Sequence, residues 1–143
     1  MAHFAKISEE NKVLSVHAVN DSKAPTEAEG QAHLQKIHSW PAHLWIQCSY
    51  NTWNGVHKTG GTPFRGNFPS IGFTWDSTNQ IFICNKSFPS WTLNIAEARW
   101  QSPVGDAPDL TQEQKDQNAA GTHVWQYVWD ESGQTWNLEN TNF

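Results

Sequence analysis

The run Phe73-Thr74-Trp75-Asp76-Ser77-Thr78-Asn79-Gln80-Ile81-Phe82-Ile83 reads as a β-hairpin. Two short stretches of aromatic and β-branched residues flank a polar segment, the composition of two strands and a turn. Asp76 opens the turn with a short side chain able to bond the backbone ahead of it, and Asn79 stands where a three-residue loop needs positive φ. Counting outward from such a loop sets Asp76 opposite Gln80, Trp75 opposite Ile81 and Thr74 opposite Phe82. Phe73, Trp75, Ile81 and Ile83 would then share one apolar face, a core face.

The pattern recurs on both sides. Ser8-Glu9-Glu10-Asn11-Lys12 separates Phe4-Ala5-Lys6-Ile7 from Val13-Leu14-Ser15-Val16, with Asn11 in the place of Asn79. Asp130-Glu131-Ser132-Gly133-Gln134 separates Tyr127-Val128-Trp129 from Thr135-Trp136-Asn137, with Gly133 in that place. The count here puts Trp129 opposite Thr135 and Val128 opposite Trp136, which sends Trp129 and Trp136 to opposite faces. A looser copy runs from Trp91-Thr92-Leu93-Asn94 to Arg99-Trp100, with Glu97 at the positive-φ position. The spacing between copies is irregular, so this is a reused hairpin and not a solenoid or propeller repeat.

One helix is expected. Thr26 and Glu29 form a capping box after Pro25, Ala28, Ala32, Leu34 and Ile37 follow, and Pro41 ends the run. Leu44-Trp45-Ile46-Gln47-Cys48 then reads as a buried strand. The fold class is α+β and β-dominated: antiparallel hairpins with one helix packed on a sheet. The 143 residues are expected to form a single domain, with a main body over 1–104, a surface loop over 105–122 and a C-terminal β-hairpin over 123–143.

A net charge of −5 with only 16% charged residues argues against capture of nucleic acid or of an anionic membrane surface. No stretch approaches the roughly 20 apolar residues of a membrane helix, and Met1-Ala2-His3-Phe4-Ala5-Lys6 lacks the apolar run of a secretory signal. Cys48 and Cys84 are too few for a disulfide scaffold and read as reduced, buried thiols made in a cytoplasm.

Nothing here assembles a catalytic centre. There is no GxSxG, and Gly60-Gly61 follows Lys58-Thr59 where a phosphate loop needs glycine first. Asp76 and Asp130 stand beside tryptophan like glycosidase carboxylates, but their turn role accounts for them. His33 and His38, five apart, lie on different sides of a helix, and no HExxH occurs. The expectation is a non-enzyme without cofactor or metal.

Nine tryptophans dominate the composition instead. Trp buries a large apolar area and keeps one donor, so it serves cores and wet interfaces alike. Trp45, Phe73 and Trp75 sit in apolar strands and read as core. The segment 51–69 is broken by glycine and proline and reads as a long irregular loop, the kind that carries contacts. Its candidate anchors are Trp53, His57, Phe64, Arg65 and Phe68, with Trp40, Trp129 and Trp136 as further candidates elsewhere. The competing reading folds Phe64 and Phe68 back onto the core as a self-packed Ω-type loop.

Five further stretches carry a resemblance: Cys48-Ser49-Tyr50-Asn51, Gly60-Gly61-Thr62-Pro63-Phe64-Arg65, Ile71-Gly72-Phe73-Thr74-Trp75-Asp76, Phe88-Pro89-Ser90-Trp91-Thr92-Leu93-Asn94 and Tyr127-Val128-Trp129-Asp130-Glu131 with Trp136. In these the chain resembles small virion proteins of marine tailed phages, the cyanophage type, over almost its whole length. It departs from them at 106–121, which is longer, and at His38-Ser39-Trp40-Pro41. The resemblance implies a virion structural protein made in the host cytoplasm, capsid-decorating or tail-associated, whose partners are other virion proteins or further copies of itself. The alternative is a carbohydrate-binding module that recognises host-surface glycan through exposed aromatics.

Overall fold

In the computed structural model, which describes residues 1–142, β1 (Ala2–Ile7) runs between β2 (Val13–Val19) and β3 (Trp45–Cys48) in an antiparallel sheet. The other strands form two-stranded hairpins: β4 (Thr52–Trp53) with β5 (Val56–His57), β6 (Thr74–Asp76) with β7 (Ile81–Ile83), β8 (Thr92–Asn94) with β9 (Arg99–Gln101), and β10 (Trp125–Asp130) with β11 (Thr135–Asn140). Two helices accompany them, α1 (Glu27–His38) and α2 (Gln112–Ala120). The architecture is α+β and dominated by small antiparallel sheets. The chain forms two compact units, Met1–Asn85 with Leu93–Arg99, and Lys86–Thr92 with the chain from Trp100 onward.

As the central strand, β1 buries both faces. Phe4 joins Val19, Trp45 and Leu34 under α1. Ala5 and Ile7 join Ile46, Cys48, Trp75 and Phe82 on the opposite side, beneath the β6–β7 hairpin. That hairpin is attached to the sheet through backbone: Val13 N–H donates to the Phe73 carbonyl at 2.8 Å and Trp75 N–H to the Asn11 carbonyl at 2.8 Å. A strand covered on both sides has no polar face to show, which is why His3-Phe4-Ala5-Lys6-Ile7 does not alternate cleanly.

The capping residue of α1 is as expected. Thr26 Oγ1 accepts from Glu29 N–H at 3.2 Å, and Ser39 closes the helix with φ 52°. Its inner stripe differs: Gly30 and Leu34 are buried, whereas Ile37 is 58% exposed and Ala28 and Ala32 face solvent. The reason is Phe4, whose ring crosses under Gly30 so closely that a Cβ there would lie 2.3 Å from Phe4 Cζ. Helix propensity alone makes Gly→Ala worth about 1 kcal/mol of stabilisation. Gly30→Ala should instead destabilise the fold by about 1–2 kcal/mol, because overpacking a filled core outweighs that gain. Chemical denaturation decides the sign, and a stabilised variant would mean that the Phe4 ring yields.

The Ser8–Lys12 turn is the three-residue loop that was expected, with Asn11 at φ 65°. The other two hairpins are longer by one residue. Asp76 pairs with Ile81, Trp75 with Phe82 and Thr74 with Ile83. Asp130 pairs with Thr135, and Trp129 with Trp136. The positive φ therefore falls on Gln80 at 57° and Gln134 at 48°, not on Asn79 or Gly133. Asp76 Oδ1 accepts from both Thr78 and Asn79 N–H, which winds the loop into a helical turn before it reverses. Asn94 does the same with Glu97 N–H, and Ala98 takes φ 48°, so the looser copy is the same four-residue loop. A one-residue slip exchanges faces. Trp75 thus shares its face with Phe82 rather than with Ile81, and Trp129 and Trp136 lie on one face rather than opposite ones.

The surface loop expected over 105–122 contains α2. Thr111 and Gln114 make a reciprocal capping box, and Gly121 ends the helix at φ 75°. None of its residues is buried, so the helix has no apolar stripe by which a sequence reading could detect it. Cys48 is buried and Cys84 half-buried, and both are thiols.

Candidate contact surface

Asn54-Gly55 turns the chain between β4 and β5, with φ of 49° and 72°. Two successive positive φ angles make a type I′ turn, which Asn-Gly favours above other pairs. The segment expected to be irregular thus carries a formed hairpin, Thr52 facing His57 and Trp53 facing Val56, closed by Lys58 N–H on the Asn51 carbonyl at 2.8 Å. It displays Trp53 at 56% exposure, Val56 at 64% and, just before it, Tyr50 at 56%. Lys58 Nζ lies 4.3 Å from the centre of the Tyr50 ring. Tyr50, Asn51, Thr52, Trp53, Val56 and Lys58 line a shallow, mainly apolar cleft of about 220 Å³. Thr52 is 2% exposed, and its Oγ1 has no hydrogen-bond partner among the described residues.

The rest of the segment holds this hairpin in place. Asn67 is 2% exposed; its Nδ2 donates to the Phe82 carbonyl at 2.7 Å and the Ala98 carbonyl at 2.8 Å, and its Oδ1 accepts from Asn54 N–H at 2.8 Å. Gly55 N–H donates to the Gly66 carbonyl, and Phe68 N–H to the Thr52 carbonyl. Gly66 sits at φ 77° where a Cβ would meet Ala98 Cβ at 2.5 Å. Phe68 packs on the sheet's core and Phe64 is half-buried. His57 accepts from Thr59 N–H through Nδ1 at 3.2 Å, a turn role. The self-packed reading therefore holds for residues 64–69, while residues 58–63 and Trp53 remain outside.

Arg65 is a structural residue rather than a surface anchor. Nη1 and Nη2 grip the Glu27 carboxylate at 2.6 and 2.9 Å, Nη1 also donates to the Gln47 carbonyl at 2.8 Å, and only 15% of the side chain is exposed. Burial pushes the Glu27 carboxyl upward, but the Arg65 hydrogen bonds, the Gln47 N–H and the guanidinium charge outweigh it and hold it below the usual range. Trp40 is likewise committed: Nε1 donates to the Ile7 carbonyl at 2.9 Å and Lys6 Nζ lies 4.4 Å from the ring centre. His38 meets His17, not His33, with ring centroids 4.8 Å apart.

In the second unit, Trp129 and Trp136 form a cluster with Trp91 and Phe88. Ring centroids are 5.2 Å apart for Trp129–Trp136, 5.9 Å for Trp91–Trp129 and 5.8 Å for Trp91–Trp136, all edge to face. Trp129 is 7% exposed, and Trp136 Nε1 donates to the Gly105 carbonyl at 3.0 Å. Glu131 is the polar junction of this cluster: it accepts from Trp129 Nε1 at 2.7 Å and from Ser90 N–H and Oγ at 2.9 Å each. Those donors, Trp129 first, hold its carboxyl below the ordinary range. Both indoles that were contact candidates here are packing residues.

Of the eight candidates, Trp53 is the one displayed. Tyr50 and Val56 beside it were not among them, although Asn54-Gly55 between Trp53 and Val56 is a hairpin signal that points to Val56. Comparison of the chain with protein-family models, with curated proteins and with solved structures returns no match.

Proposed function

We propose that the protein is a structural component of a tailed-phage particle, capsid-decorating or tail-associated, and that it attaches to neighbouring virion proteins through the ridge of Tyr50, Trp53 and Val56. The observation that carries this reading is the exposure of three large apolar side chains, Trp53 and Val56 on a hairpin locked by a type I′ turn and by Asn67, and Tyr50 just before it. An aromatic held rigid before contact loses little conformational entropy on binding, which is the property of an interface anchor. The sequence resemblance to virion proteins supplies the setting. Glycan recognition is the weaker reading, because the cleft beside Trp53 is mainly apolar and sugar hydroxyls need polar partners.

The test is incorporation. Tyr50→Ala with Trp53→Ala should leave the fold intact, since both side chains are more than half exposed. It should lower occupancy in particles lacking the wild-type copy roughly 30-fold or more, the loss of about 2 kcal/mol expected of an anchor pair. Unchanged occupancy would reject the ridge as the attachment surface. Loss of binding to host polysaccharide with occupancy unchanged would select the glycan reading.

A further inference from the structure

Among the described residues, several strand edges of this fold are met by side chains or by neighbouring backbone. Along β3, Gln31 Nε2 donates to the Trp45 carbonyl at 2.7 Å, Gln47 N–H donates to Glu27 Oε1 at 3.0 Å, and Arg65 Nη1 donates to the Gln47 carbonyl at 2.8 Å. The start of β2 is taken by Phe73 and Gly72 through Val13. In the second unit Asn118 plays this part for β10: its Nδ2 donates to the Trp125 carbonyl at 3.0 Å and its Oδ1 accepts Trp125 N–H at 2.6 Å. Such devices keep a strand edge from pairing with another chain. Among the described residues, β11 has none along its outer edge.

The phase of the ladder shows what that edge presents. Thr141 N–H donates to the Val124 carbonyl at 2.9 Å, so residues 124 and 141 form a hydrogen-bonded pair. Alternation along an antiparallel ladder then turns the backbone groups of Thr135, Asn137 and Glu139 toward β10, and those of Trp136, Leu138 and Asn140 outward. Trp125, opposite Asn140, meets Asn118 from outside, as this phase requires. Thr135 and residues 137–140 are exposed, Leu138 at 37%. The strand contains no proline, glycine or lysine, and Glu139 is its one charge.

We propose that β11 pairs antiparallel with the same strand of a second copy about a twofold axis at Leu138, giving one four-stranded sheet. With Leu138 opposite its own counterpart, Trp136 stands opposite Asn140 and Asn137 opposite Glu139. The only charge of the strand then meets an amide, and no like charges oppose. That self-complementarity is what singles out a second copy over a foreign strand, because a twofold interface must match itself. Pairing also relieves the weakness of a two-stranded ribbon, which is marginal alone. The inference concerns a different surface from the Tyr50–Trp53 ridge and does not rest on the virion reading.

Sedimentation equilibrium of the full chain over the micromolar range tests it, with an expected mass twice that of the 16.2 kDa chain. Leu138→Pro deletes an outward N–H that the hairpin itself does not use, a position where an edge strand accepts proline. Leu138→Lys sets two ammonium groups face to face at the axis. Both should weaken dimerisation at least tenfold while near-ultraviolet circular dichroism stays that of the wild type, and Leu138→Lys decides if the proline variant fails to fold. Asn137→Pro, which removes an inward N–H, should disorder the hairpin instead. A wild-type monomer throughout the range overturns the proposal, whether or not it captures a foreign strand, and so does a dimer that Leu138→Lys leaves intact.

Discussion

Trp75→Ala should lower the free energy of unfolding by about 3–5 kcal/mol, the cost of emptying a filled aromatic site. The indole is 5% exposed, its centroid lies 4.7 Å from that of Phe82, and the Arg65 guanidinium carbon sits 5.1 Å from the ring centre. Removing it leaves a void on the side of the sheet where Ile7, Val13 and Ile46 converge. It also takes away the apolar surface against which the Arg65–Glu27 pair is held, so part of the loss should come from that pair becoming wetter. Denaturant titration with the folded baseline checked by circular dichroism measures the effect. A loss below about 1 kcal/mol would place the ring outside the core.

Asn67→Ala should cost nearly as much, about 3–4 kcal/mol, for a different reason. The substitution leaves three backbone groups without partners, the carbonyls of Phe82 and Ala98 and the N–H of Asn54. Each orphaned buried group costs about 1–3 kcal/mol, reduced where the opened space admits water. Asn67→Asp separates hydrogen bonding from packing. It keeps the shape but points a carboxylate oxygen at two carbonyls, and it should destabilise at least as much as alanine. If denaturation finds the aspartate variant no worse than wild type, the amide is not the clasp that its geometry describes. Because Asn67 fixes Asn54, both variants should also loosen the Trp53 hairpin before the sheet unfolds.

What the sequence disclosed was local. Thr26 caps α1 and Trp45 and Trp75 are core because a hydroxyl three residues ahead of a glutamate, or an indole within an apolar run, acts on its immediate neighbours. The hairpins were legible as hairpins for the same reason. Their register was not, because the loops grow to four residues when Asp76 or Asn94 bonds the N–H groups ahead, and the strained position then falls on Gln80 or Ala98, which carry no mark of it. Helix propensity alone would make Gly30 a weakness in α1, and it takes Phe4, distant in sequence, to supply the ring that needs the space. Asn67 and Arg65 could not be told from ordinary surface polar residues, since their burial depends on carbonyls and a carboxylate from Phe82, Ala98, Gln47 and Glu27. At the candidate site, Trp53 was legible as an exposed aromatic, and Val56 could have been read from Asn54-Gly55. Tyr50 depended on where Lys58 returns beside it.

The edge-to-face arrangement of Trp91, Trp129 and Trp136 gives the second unit an optical identity of its own. Three indoles with centroids 5.2 to 5.9 Å apart couple their electronic transitions, and the coupling depends on the angles between the rings. Such coupling produces paired bands of opposite sign in circular dichroism, superposed on the weak signal of a chain with little helix. The bands vanish once the rings part, whatever happens to the backbone elsewhere. Trp75 and Trp45, in the first unit, are buried as well, but neither ring belongs to that cluster. Recording the paired bands along a denaturation curve therefore follows the parting of Lys86–Thr92 from the C-terminal hairpin, with no label attached.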